Sequence, residues 1–175
     1  DDMSQSFTGV INTPLIKDTL ALRVAAYHFE DAGYVDAVST PEAVAIADAT
    51  GTTVRVEDDI NGGETSGIRA SLLWRATEDL DINLTIGAQR QDYDGYGRVK
   101  YHSNGIGDYD ITTVTKDSQE NETDYANLTL RYDMGWAALT SATSVMQQDT
   151  YIRSGSYPFS SVPSEKWSPR SFNTP

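Results

Sequence analysis

Cysteine is absent from the 175 residues. That excludes disulfide frameworks and thiolate metal sites and leaves the redox compartment open. Histidine is scarce: His28 and His102 are the only two and fall in different segments, so a metal site would depend on carboxylates. Long apolar runs are missing as well. Hydrophobic residues make up 38% of the chain, mean hydropathy is −0.46, and no run approaches the roughly eighteen apolar residues of a membrane helix. A helical membrane protein is thereby excluded, whereas a transmembrane barrel, with half of each strand facing a polar lumen, is not. Asp1-Asp2-Met3 opens the chain without a basic, apolar or cleavage region. No signal peptide is expected within these residues, and the chain could have been cut from a longer exported one. No nucleophile elbow, P-loop or dinucleotide fingerprint occurs, so neither an enzyme nor a cofactor is expected.

Positive charge is scarce in two places in particular. Segments 30–66 and 92–124 carry 17 of the 26 acidic residues against only Arg55, Arg98, Lys100 and Lys116. The net charge of −13 therefore resides there, and the rest of the chain is neutral. Such a field disfavours nucleic acid and other anionic partners near those segments. Asp92-x-Asp94-Gly95 and Asp108-x-Asp110 offer oxygens to calcium but lack the spacing of a full calcium loop, so solvated carboxylates are expected and no metal site.

What the chain does have is alternation. In SGIRASLLWRATEDLDINLTIGAQRQ, Ser66 to Gln91, residues Ile68, Ala70, Leu72 and Trp74 share one face of a strand. After a short break Leu80, Ile82, Leu84, Ile86 and Ala88 do the same. Period two over roughly ten residues on each arm predicts two antiparallel strands joined by a tight turn. About nine to eleven residues is also what a tilted strand needs to cross a bilayer.

The same device recurs on either side. Ser6–Asn12 and Thr19–Glu30 alternate around a Pro-containing break at Thr13–Asp18, with the register blurred at Tyr27-His28-Phe29. Tyr125–Tyr132 and Trp136–Gln148 flank a turn at Asp133-Met134-Gly135. Hairpins are thus expected at about 6–30, 66–91 and 125–148, with long loops at about 31–65, 92–124 and 149–175. In the first loop Thr40 is set to cap a short helix, with Pro41 at its first position and Gly51 beyond its end. In the second, Ile111–Thr115 predicts a small strand pair inside the loop. Loops of this length are uncommon in compact domains and ask for a function or an unrecognised element.

Short turns on one side and long loops on the other are the arrangement of a membrane barrel. An all-β antiparallel up-and-down meander of about six long strands is expected, as an incomplete portion of a transmembrane barrel. Trp74, Tyr132 and Trp136 sit beside short turns, and Tyr27, Phe29, Tyr93 and Tyr151 near loop ends, as two interfacial girdles would. For ligand capture the candidates are Tyr93, Tyr96, Tyr101 and Tyr109 among the glycines of the second loop, with Tyr34 from the first. Tyrosines give flat area and a hydroxyl at low entropic cost. Self-packing of the loop is the alternative. A soluble carbohydrate-binding β-sandwich, with Ile82, Leu84, Leu128 and Leu130 packed across two sheets, is the rival fold, and a passive porin or enzymatic barrel differs only in what fills its lumen.

Three phrases add a resemblance. NTPLIKDTLALR (Asn12–Arg23) followed by Gly33-Tyr34-Val35-Asp36, GIRASLLWR (Gly67–Arg75) leading into Glu78-Asp79-Leu80, and YDMGWAALTS (Tyr132–Ser141) resemble, in order, hairpin motifs of TonB-dependent outer-membrane receptors. Ala76 stands where that family often has proline. The resemblance implies part of a barrel of about 22 strands in a Gram-negative outer membrane, with short periplasmic turns and long extracellular loops. It implies as partners outer-membrane lipid, a plug domain and the remaining strands, TonB acting through an N-terminal region outside these residues, and a scarce nutrient such as a ferric siderophore, cobalamin or oligosaccharide. Six strands cannot close such a barrel, since about eight is the minimum.

Overall fold

A computed structural model describes residues 3–95, 107–154 and 170–171. The elements in chain order are β1 (Gln5–Ile16), β2 (Leu20–Asp31), β3 (Asp36–Ala37), α1 (Pro41–Thr50), β4 (Gly63–Arg75), β5 (Leu80–Asp94), β6 (Asp110–Ile111), β7 (Ser118–Asp133), β8 (Ala138–Arg153) and β9 (Arg170–Ser171). Six long strands form one antiparallel sheet in the order β1-β2-β4-β5-β7-β8, and β9 extends it by two residues opposite Asp149 and Thr150. The sheet is open: among the described residues β1 pairs with β2 alone.

Residues paired across antiparallel strands share a face, so the alternation of each strand carries through the sheet. Leu22, Leu72, Leu84 and Leu128 stand side by side on β2, β4, β5 and β7, and Leu20, Trp74, Ile82 and Leu130 form the neighbouring row. A one-residue slip would turn these rows to the opposite side, which is why register is strongly specified here. Ile82, Leu84, Leu128 and Leu130 thus lie together on one face of one sheet and do not pack across two, as the sandwich would require. The opposite face is polar: Arg23, Ser71, Thr85, Asn127 and Ser144 make one row. Its side chains bond across strands, Ser71 Oγ with Thr85 Oγ1 at 2.9 Å and Asn127 Nδ2 donating to Ser144 Oγ at 2.7 Å.

Among the described residues nothing packs on the apolar face: Ile68 and Ile86 are each 52% exposed and Val145 67%. Towards the loops this face changes character. Beyond Ala26, Ile68, Ala88 and Ala126, the residues Glu30, Glu64, Asp92 and Glu120 stand in one row across four strands. Like charges directly opposite one another repel. Arg90 relieves the repulsion, with Nε 3.7 Å from Asp92 and Nη2 paired with Glu122, while His28 Nδ1 lies 3.5 Å from Glu64.

Several local expectations change. Thr13–Ile16 is not a break but the end of β1, where Pro14 lies opposite Ala21 beside a register shift. An edge strand tolerates proline because it has a side without ladder partners. The turn comes later, with Asp18 at φ 60 and Thr19 N donating to Ile16 O at 3.1 Å. β7 begins at Ser118, so the second long connection is shorter than the pattern suggested. Ile111 does belong to a strand, but β6 pairs in parallel with β3 of the other loop and not within its own.

Candidate functional site

Local sequence builds the first connection. Thr40 has an extended backbone and its Oγ1 accepts from Ala43 N at 3.2 Å, Pro41 fills the first helical position, and Gly51 ends α1 at φ 69. Each device satisfies or removes a backbone group that a helix end leaves open. Ala43 and Ala47 are the buried residues of the helix. After it the chain returns: Glu57 and Ala37 exchange backbone bonds at 2.8 and 3.0 Å, and Ile60 N donates to Val35 O at 2.7 Å. Asn61 Oδ1 accepts from both Tyr34 N and Val35 N at 2.8 Å. Gly33 is required at φ 86, where a Cβ would stand 2.6 Å from Asp59 O.

The second connection docks on the first. Asp36 N donates to Tyr109 O at 3.1 Å, Val38 N to Ile111 O at 2.8 Å and Arg55 N to Thr113 O at 2.8 Å. Val35, Ala37, Ile60 and Ile111 form a small buried cluster drawn from both loops. Every buried apolar residue among those described lies in this cap, and none in the sheet. Asp94 N donates to Gly62 O at 2.8 Å, tying the cap to the ends of β4 and β5.

Two of the candidate ligand tyrosines meet here. Tyr34 and Tyr109 come from different connections, their ring centroids are 5.7 Å apart at 88°, and they are 53% and 58% exposed. An edge-to-face pair of this kind is preferred by the ring quadrupoles and leaves ring area and hydroxyls open to a solute. Tyr93 is not with them. It belongs to β5, where its ring lies across Gly63 and its hydroxyl is 3.3 Å from Thr65 Oγ1, so its area is spent within the sheet. Tyr96 and Tyr101 lie outside the described residues, as does His102. Of the candidate calcium oxygens, Asp94 is paired with Lys116 Nζ at 2.9 Å and Asp110 Oδ2 accepts from Gly107 N at 2.9 Å.

The aromatic girdles divide. Trp74 and Tyr132 stand on the apolar face at the turn end, and Trp136 lies exposed in the turn between β7 and β8. At the loop end Tyr27, Phe29 and Tyr93 are on the polar face, contrary to the girdle expectation, because they share parity with Arg23 and Gln89. Tyr27 lies over Gly67 and its hydroxyl donates to Gln89 Oε1 at 2.5 Å; Tyr125 covers Gly87 in the same way. A ring laid across an opposed glycine restores the packing that the missing side chain forfeits. Tyr151 is on the apolar face, and Phe7, unremarked in the sequence, joins it there. Its parity relative to Ile11 was the available signal.

No family model, no curated protein and no solved structure matches the chain.

Proposed function

We propose that the chain is a stretch of wall, with its outer loops, from an outer-membrane β-barrel of the TonB-dependent receptor type. The whole barrel would bind a scarce nutrient and import it by energy-dependent release through a plug domain. No bond is broken in such a mechanism. The observation that carries the reading is a single-layer sheet with one continuous apolar face that none of the described residues outside the sheet covers. A water-soluble sheet must bury such a face against a second layer; lipid is the solvent that makes a second layer unnecessary. The sorting of connections supports the same reading, with tight turns at one end and the joined cap at the other. In this reading the neighbours of the sheet are outer-membrane lipid, the remaining strands, and a plug that TonB engages from the periplasm. The exposed pair Tyr34 and Tyr109 is where a nutrient first makes contact.

Expression of residues 1–175 with and without a non-ionic detergent tests the reading. A strand-rich fold that forms only in detergent or vesicles is the expected result. A soluble monomer that melts cooperatively in plain buffer would overturn it and favour a carbohydrate-binding module in water.

A further inference from the structure

At its loop end the polar face has two neighbouring rows without charge. The row from Thr8 through Tyr27 and Gln89 to Gln148, and the row from Ser6 through Phe29 and Gln91 to Thr150, hold no acidic or basic residue on the six long strands. Arg69 borders the pair of rows on one side and Asp31 on the other. Behind them, on the opposite face, stand Glu30, Glu64, Asp92, Glu120 and Glu122. At this height charge is thus sorted to one side of the sheet, and hydroxyls, carboxamides and rings to the other. Tyr27 and Phe29 lie with ring centroids 5.4 Å apart at 39°, and Phe29 is 43% exposed. A cavity of about 450 Å³ opens beside Phe29, walled by Ser6, Asp31, Thr65 and Tyr93; Gln5 and Glu30, which border it, have the parity of the other face. Asn121 is only 8% exposed and its Oδ1 accepts from Thr150 Oγ1 at 2.8 Å, but its Nδ2 has no acceptor among the described residues. The carboxamide of Gln91, opposite it on β5, likewise has no partner among them. Buried polar groups are as a rule hydrogen-bonded, so this donor is set for an acceptor that the described residues do not supply.

We infer that this patch binds a neutral oligosaccharide. The inference rests on the barrel reading, in which the polar face is the inner one, and names the class of nutrient. A sugar ring has apolar C–H faces, which pack on the rings of Phe29 and Tyr27, and hydroxyls that both donate and accept, as the carboxamides of Gln91 and Asn121 do. An anionic ferric chelate would need charge-assisted donors along the two rows, and they carry none. Asp31 and the acidic connections nearby repel it further. From Phe29 to Asn121 is three strand spacings along one row, about 14 Å, so a ligand that meets both is an oligomer and not a single sugar.

The test is calorimetric titration of the chain in polyoxyethylene detergent micelles, which carry no sugar. The probes are maltohexaose, cellohexaose and xylohexaose, with hexagalacturonate, ferric tricatecholate and cyanocobalamin beside them. At least one neutral hexaose should bind, with an affinity that salt leaves unchanged, and hexagalacturonate and ferric tricatecholate should bind at least about tenfold more weakly. Phe29→Ala should weaken the hexaose at least about fivefold, the effect of leaving roughly 50 Å² of apolar surface in water. Gln91→Ala should weaken it at least about twofold through the lost hydrogen bond. Glu30→Gln, on the opposite face, should leave it unchanged. Failure of every hexaose to bind a chain of full strand content, binding that survives both substitutions, or tighter binding of ferric tricatecholate or cyanocobalamin would overturn the inference. Hexaose binding by a chain that needs no detergent would uphold the sugar and overturn the barrel reading; a chain that needs detergent and binds no hexaose would do the reverse.

Discussion

Leu84 and Thr85 are neighbours in sequence on opposite faces of β5, and an arginine introduced at each reads the solvent of each face. Leu84 lies in the middle of the apolar rows, which run on this strand from Leu80 to Ala88. At about 3.4 Å per residue that band is about 27 Å long, and a strand tilt of about 40° gives it a height of about 21 Å, close to the roughly 25 Å lipid-facing band of outer-membrane barrels. In the proposed barrel Leu84 would therefore sit near the bilayer midplane, where an arginine costs about 2–4 kcal/mol. The folding equilibrium in vesicles should shift by roughly 30- to 700-fold. Thr85→Arg loses the bond to Ser71 Oγ, worth about 0.5–1.5 kcal/mol, and otherwise meets a polar face. Urea titration of folding into phosphatidylcholine vesicles, followed by tryptophan fluorescence, measures both. In water the contrast collapses, because Leu84 is 42% exposed and surface substitutions usually stay within about 0.5 kcal/mol. Equal penalties, or a larger one for Thr85→Arg, would refute the assignment of lipid to the apolar face.

The cap yields two further expectations. Gly33→Ala places a Cβ 2.6 Å from Asp59 O and 2.8 Å from Gly62 N at φ 86, and should destabilise the cap by about 1–3 kcal/mol; faster proteolysis within 34–62 with unchanged far-ultraviolet dichroism is the readout, and unchanged proteolysis counts against the close approach. A double-mutant cycle of Tyr34→Ala and Tyr109→Ala should return a coupling of about 0.5–1.5 kcal/mol in cap stability, and a value near zero would remove the ring pair as the joint between the loops.

The sheet was legible in the sequence because its physics is local. Period two fixes which side chains share a face, and residues such as Leu72 and Leu84 needed only a tight turn between them to find each other. The helix was equally legible, since Thr40, Pro41 and Gly51 each answer to a backbone group within a few residues. The pairing of the two loops was not legible. Of its four core residues, Val35 and Ala37 share one short run while Ile60 and Ile111 each stand alone between polar neighbours, and no period connects positions that meet only after two hairpins have formed. The aromatic positions show a third situation: Tyr27 and Tyr93 had readable parity, but Gly67 and Gly63, which hold their rings against the sheet, have meaning only once register is known.

Joining two loops through one cluster has a consequence for recognition. Tyr34 hangs from Asn61 and from the Val35–Ile60 bond, whereas Tyr109 is carried by the amide of Asp36. Neither ring can be repositioned by its own connection alone, because Gly62 and Asp94 fix both to the ends of β4 and β5. Exchanging one loop for another sequence would remove half of the cluster and leave backbone donors such as Asp36 N and Val38 N without acceptors, at about 1–3 kcal/mol each where buried. The two connections therefore have to change together. In the proposed receptor, specificity at this surface would belong to the pair of loops, and the sheet beneath them, with its strict register, keeps that pair in place.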